Sequence, residues 1–173
     1  FLHLEKKAGK LDSIVFMGMG EPMLNLDAIR KTVSILTHPE GRALSKRRIT
    51  ISTCGLCDGI RSLADNGPDI RLAVSLTTAN ESHRTELMPV TRANPLHELK
   101  KAIAYYCEKT GKRVTLEAAL MGGVNTGDSD AVELAHFAEG LPVHINLIPW
   151  NAVPELPFAT PSRSETERFV SKL

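Results

Sequence analysis

The sequence predicts an α/β fold, a partial, open β/α barrel of parallel strands. Two observations carry that expectation. Five short runs rich in Ile, Val, Leu and Thr alternate with runs whose apolar residues recur every three or four positions. Repeated β–α units of this kind set strands parallel through crossover connections. Within the strands, one face is apolar and the other is small or polar. A sheet covered by helices on both faces has near-continuous apolar strands instead. Helices outside and a hydrated or ligand-filled interior fit the asymmetry, and an open doubly wound sheet is the alternative.

The strands are expected at "SIVFMG" (13–18), "RRITIST" (47–53), "IRLAVSLTT" (70–78), "RVTLEAALM" (113–121) and "VHINLIPW" (143–150). Ile49 and Ile51 oppose Thr50 and Ser52, and Leu72, Val74 and Leu76 oppose Ala73, Ser75 and Thr77. Val114, Leu116, Ala118 and Leu120 oppose Thr115, Glu117 and Ala119, while Ile145 and Leu147 oppose His144 and Asn146. Helices are expected over 26–37, 58–67, 95–111 and 128–140, with Asn25 and Asp128 as N-caps and Gly111 and Gly140 as stops. "ANESHRTELMPV" between the third strand and the third helix reads as a long loop.

A chain of 173 residues, 42% apolar and 24% charged, suits one soluble domain over 1–173. Five strands do not close an eight-stranded barrel. "FLHLEKKAGKLDS" lacks an initiator Met and reads as the last turns of a helix, with Phe1, Leu2 and Leu4 apolar, and "SRSETERFVSKL" reads as an amphipathic one. The chain is therefore expected to be a piece of a longer protein. A net charge of +1 gives no field that argues for nucleic acid by itself. No apolar run approaches the ~20 residues of a membrane span. Three cysteines make no disulfide framework and favour a cytoplasmic location.

In β/α barrels the C-terminal strand ends carry function. Here they place Gly18, Gly20 and Glu21 beside Ser52 and Thr53, Ser75 and Thr77, Glu117, Asn146 and Asn151. A ring of hydroxyls, amides and two acids suits a polar, zwitterionic small molecule. "GMGEPM" lacks the third glycine of a dinucleotide fingerprint and the Lys of a phosphate-binding loop. Pro22 removes a donor and pushes Glu21 toward extended backbone. Acceptors beside glycine backbone suit an ammonium group; the plainer alternative is a glutamate that favours a helix start.

"FMGMGEPMLN", "RRITISTCG", "LAVSLTTANESHRTELMPV", "LEAALMGGVN" and "HINLIPWNAVP" resemble, in order, blocks of the radical S-adenosylmethionine (SAM) methyltransferases of 23S rRNA, from about Ile14 onward. That family methylates C2 or C8 of an adenine, and some members also act on tRNA. The resemblance implies SAM contacts at Gly20, Glu21, Ser52, Ser75, Leu76, Thr77 and Asn151. It implies a [4Fe–4S] cluster whose cysteines lie on a CxxxCxxC loop upstream of Phe1, a flavodoxin- or ferredoxin-type electron donor and no membrane partner. In its mechanism a cysteine outside this chain is first methylated, and a 5′-deoxyadenosyl radical then abstracts hydrogen from that methyl group. The chain alone holds none of the cluster or catalytic cysteines and is expected to be inactive. Thr77 departs from the family's His. Other radical SAM enzymes, such as an activating enzyme, and a non-catalytic nucleoside-binding module are the alternatives.

The remaining candidates are open or bland. Cys54 and Cys57 supply two ligands at most and read as core or loop thiols. Glu117 suits a ligand acid and an internal hydrogen bond equally. Arg84 fits an RNA or carboxylate contact, or a structural salt bridge. "SKRR" (45–48) and "ELKK" (98–101) read as solvated surface ahead of phosphate contacts, and Trp150 as packing ahead of base stacking.

Overall fold

A computed structural model describes residues 1–173, the side chain of Leu2 excepted. Its sheet holds β1 (Ile14–Phe16), β2 (Ile49–Thr53), β3 (Arg71–Ser75), β4 (Val114–Leu120) and β5 (Val143–Pro149). They lie in the order 1-2-3-4-5, and every neighbouring pair is parallel. A doubly wound sheet reverses its strand order at a switch point. No reversal occurs here, so the partial β/α barrel is the observed architecture.

The helices are α1 (Leu2–Ala8), α2 (Leu26–Thr37), α3 (Cys57–Asn66), α4 (Glu81–Leu87), α5 (Leu96–Thr110), α6 (Asp128–Ala138) and α7 (Arg163–Val170). Helical spacing explains what each buries. α2 turns Leu26, Ile29 and Val33 inward, α3 turns Cys57, Ile60 and Leu63, and α5 turns Leu99, Ile103 and Tyr106. They pack on the apolar face of the strands, where Ile49, Ile51, Val74, Val114 and Leu116 are fully buried. Each such aliphatic side chain contributes about 1.5–3 kcal/mol. The opposite face carries no helix. Its residues are half-buried on β4 (Thr115, Glu117, Ala119) and exposed on β5 (His144, Asn146, Ile148).

Four local expectations shift. "KRR" (46–48) forms a single 3₁₀ turn before β2 rather than the start of the strand. Asp128 is the first residue of α6 and Gly127 its N-cap, held because the Asp130 carboxylate accepts from the Gly127 N–H at 3.0 Å. That helix ends at Ala138, with Glu139 rather than Gly140 as its C-cap. The expected loop at 81–87 is α4, started by the Asn80 side chain, which accepts from the His83 N–H at 3.0 Å. An Asn cap is a recognised start signal, but "ESHRTEL" has too little apolar periodicity to mark a helix.

Candidate functional site: the C-terminal rim of the strands

A cleft of about 300 Å³ opens at the C-terminal ends of β1, β2 and β3. Among its walls are Gly18, Gly20, Glu21, Ser52, Cys54 and Ser75. Gly18 and Gly20 have φ of 118° and 99°, a region that admits glycine and disfavours side chains. A Cβ at either would meet nothing within 4 Å, so backbone conformation rather than crowding selects glycine there.

Glu21 has extended backbone, as the following proline demands. Its Oε1 accepts from the Met23 N–H at 3.0 Å, capping a 3₁₀ turn over Pro22–Asn25. Its Oε2 accepts from the Cys54 N–H at 2.9 Å, tying the turn after β1 to the end of β2. The helix-start role and the cleft-lining role therefore belong to the same carboxylate. A carboxylate has about four acceptor directions, and capacity for a ligand donor remains. The Cys54 thiol lies beside this carboxylate. Burial first, and then Glu21, push that thiol up to about 12.

Ser52 is buried and Ser75 half-buried. Neither side chain has a hydrogen-bond partner among the described residues, which leaves both hydroxyls to a ligand. Ser75, Glu117 and Asn146 lie side by side across β3, β4 and β5. The Glu117 carboxylate also makes no bond among the described residues. Of its two expected roles, the internal hydrogen bond is absent.

Other expected contacts stand apart. The Leu76 side chain is fully buried in the core, with its N–H donating to the Glu117 carbonyl at 2.9 Å. Thr77 adopts φ 64°, strained for a β-branched residue. Its N–H donates to the Glu117 carbonyl at 3.0 Å, and its carbonyl accepts from Asn125 Nδ2 at 3.3 Å. Asn151 is exposed beyond β5, outside the cleft. Trp150 packs edge-on against Phe158, centroids 5.7 Å apart.

Two residues organise the rim in roles that the sequence patterns do not show. Arg84 of α4 is fully buried and forms no salt bridge among the described residues. Its Nε donates to the Leu76 carbonyl at 3.0 Å, Nη1 to Thr91 Oγ1 at 2.7 Å and Nη2 to the Cys54 carbonyl at 2.7 Å. Burial lowers its pKa from the ordinary arginine value. Gly55 lies close beneath it, where a Cβ would come within 3.1 Å of Nη2. One guanidinium thus fixes the ends of both serine-bearing strands. Asn125 is its counterpart after β4, accepting from the Met121 N–H at 2.7 Å and donating to the Ala119 carbonyl at 2.8 Å.

The thiols do not form a metal set. Cys57 begins α3, with its sulfur 3.9 Å from the Gly55 carbonyl, while Cys107 sits in α5, 4.0 Å from the Pro142 carbonyl. Burial raises both above the ordinary thiol value, and metals bind the thiolate. Among the described residues no group of three or more His, Cys, Asp or Glu could hold a metal ion. This chain's own residues therefore do not fit an iron–sulfur cluster. Cysteines expected upstream of Phe1 lie outside the described residues. Phe1 itself is no site residue: its ring meets the Arg42 guanidinium at 5.8 Å from the centroid, and it lines no part of the rim cleft. No described helix is long and apolar enough to cross a membrane.

The family model described as the radical SAM superfamily matches residues 3–138. The chain is 62% identical over all 173 residues to the probable dual-specificity RNA methyltransferase RlmN of Treponema denticola, covering 50% of that protein. A crystal structure of a radical SAM methyltransferase from Sphaerobacter thermophilus superposes with TM-score 0.93 at 44% identity, over 99% of this chain and 50% of that one. A domain of pyruvate-formate lyase-activating enzyme from Bacteroides vulgatus shares the fold, with TM-score 0.67 at 18% identity over 94% of this chain and 93% of that one. The chain spans about half the length of the curated relatives it matches. With the parallel winding, the helix-free face and the rim cleft already in place, the chain belongs to the radical SAM superfamily.

Proposed function

We propose that this chain is the SAM-holding core of a cytoplasmic enzyme that methylates an adenine of RNA, 23S rRNA with or without tRNA. The single observation that carries the reading is the rim cleft, where two unpartnered serine hydroxyls face a partly free carboxylate beside two glycines. With a [4Fe–4S] cluster held by residues outside this chain, bound SAM would supply radical and methyl-donor chemistry. The cluster's ligands and the electron donor's docking site would come from outside these 173 residues.

The chain's own residues bind and orient. Glu21 and the Gly20 carbonyl accept from the ammonium end of the ligand, and Ser52 and Ser75 hold its polar groups. Glu117 and Asn146 continue the polar row toward the far wall. Arg84 and Asn125 keep the strand ends in place. Leu76 serves the site indirectly, its backbone being bonded to Glu117, Thr78 and Arg84, and Thr77 and Asn151 lie beyond the cleft walls. Relatives bearing the RNA methyltransferase name at 58–62% identity favour this reading over an activating enzyme, for which likeness is confined to fold. Three unpaired cysteines suit the reducing cytoplasm.

Calorimetry of SAM with the anaerobically prepared full-length protein tests the cleft. Glu21→Gln is expected to weaken binding about 10- to 100-fold and Ser75→Ala about 3- to 10-fold, as for loss of a charged and a neutral hydrogen bond. Affinity unchanged in both variants overturns the assignment. Transfer of labelled methyl from SAM to RNA tests the activity separately.

A further inference from the structure

On the helix-free face, at the opposite end of the strands, a cleft of about 530 Å³ is lined by Lys46, Arg47, Arg71, Lys112, Arg113 and His144. No Asp or Glu is among its lining residues. A second cleft of about 480 Å³ shares Arg47 and Arg71 and adds Arg48, which pairs with Asp12 at 3.4 Å. Lys112 pairs with Asp69. Acids thus neutralise the flanks of the band. Lys46, Arg47, Arg71 and Arg113 in its middle have no ion pair or side-chain hydrogen bond among the described residues.

The chain carries 21 Lys and Arg against 20 Asp and Glu, so overall balance does not require four bare cations in one recess. Three separate segments deliver the charges: the turn before β2, the first residue of β3 and the approach to β4. Like charges held together repel, and a polyanion relieves them. Three of the four bare cations are arginines, whose planar fork matches phosphate oxygens bidentately.

We propose that this basic cleft anchors RNA backbone phosphates away from the reaction centre. The proposal rests on the RNA reading above, which decides for phosphate over the carboxylates of an acidic protein. Strands of five to seven residues, at about 3.3 Å each, put the cleft roughly 16–23 Å from the rim. It therefore acts on RNA affinity and leaves the chemical step alone.

The test is anisotropy of a labelled single-stranded RNA of about 12 nucleotides with the full-length protein over a salt series. For single strands, log K falls with log salt by about 0.7 for each phosphate contact. Replacing Arg47, Arg71 and Arg113 together by Gln is expected to make the slope shallower by about 2, and each single change by about 0.7. Lys31→Gln, on the helical side, leaves it unchanged. The triple variant raises the KM for RNA, keeps kcat and keeps SAM affinity. An unchanged slope overturns the proposal, as does a poly-glutamate peptide of equal charge binding at least as tightly as RNA. Loss of SAM binding in the unmodified protein would strike the cofactor reading alone, because RNA affinity is measured without SAM.

Discussion

At the C-terminal rim Arg84 is fully buried, and each of its three nitrogens donates to a named oxygen. At the N-terminal end Arg113 lies in an acid-free cleft and bonds no described residue. The two arginines precede or follow strands of one sheet, yet the protein uses one internally and leaves the other open. A buried cation has to commit its donors to the fold, since an unpartnered one costs several kcal/mol. One that reaches water is solvated and stays available. The proposed cofactor cleft and the proposed RNA-backbone contact thereby lie at opposite ends.

The sharpest break of this contrast is a matched pair of substitutions. Arg84→Met strands the Cys54 carbonyl and removes one bond each from the Leu76 carbonyl, which keeps the Thr78 N–H, and from the Thr91 hydroxyl, which keeps the Met88 carbonyl. The unmet carbonyl costs about 1–3 kcal/mol and each of the two lost bonds about 0.5–1.5 kcal/mol, so urea unfolding should show a loss of about 2–5 kcal/mol. Arg113→Met should stay within about 0.5 kcal/mol. Similar losses from both would abolish the distinction between the two ends.

A smaller effect sharpens the rim side. Gly59 of α3 lies against the 3₁₀ turn that Glu21 caps, and a Cβ there would sit 2.5 Å from Met23 Cβ. Overpacking of this kind costs about 1–3 kcal/mol, offset by roughly 1 kcal/mol of helix propensity. Gly59→Ala should therefore lower stability by up to about 2 kcal/mol and weaken SAM binding, because Met23 cannot move without the Glu21 turn. Stability lost with SAM affinity intact would separate the turn from the cleft.

The smallest effect is acid sensitivity at the edge of the rim. Glu165 of α7 is held down to about 2 by the Ser162 hydroxyl first, then the Ser162 N–H, the Thr126 hydroxyl and the Gly123 N–H. Its folded value lies below the ordinary 4.5, so its contribution is full above that value and disappears as pH falls toward about 2. The thermal midpoint of the unmodified protein should approach that of Glu165→Gln across that window. Glu165 is half-buried and its carboxylate reaches water, so solvent screening keeps the difference small. A constant gap between the two proteins would remove Glu165 from the rim's anchoring.

Much of this was legible because it is local. "LDAIRKTVSILT" became α2 at the expected bounds, since spacing of three and four is itself the condition for burying one helical stripe. Alternation along "RVTLEAAL" placed Glu117 on the helix-free face for the corresponding period of two. The rim residues Gly20, Glu21, Ser52 and Ser75 were found the same way and line one cleft. "SKRR" and "ELKK" look alike in sequence and diverge in space. Lys101 pairs with Glu98 at 2.8 Å on a solvated helix, whereas Lys46 and Arg47 meet Arg71, Arg113 and His144 from other strands.

The sequence by itself determined the alternation of elements, the polar inner face and the residues at each strand end, because those follow from periodicity and from local backbone limits such as Pro22 on Glu21. Only the tertiary structure decided that Arg84 is an internal staple, that Glu21 clamps the end of β2, that Leu76 turns away from the cleft and that bare cations gather at the far end. Each of these depends on which distant segments become neighbours, and charge or hydrogen-bonding capacity in a sequence carries no record of the partner that will meet it.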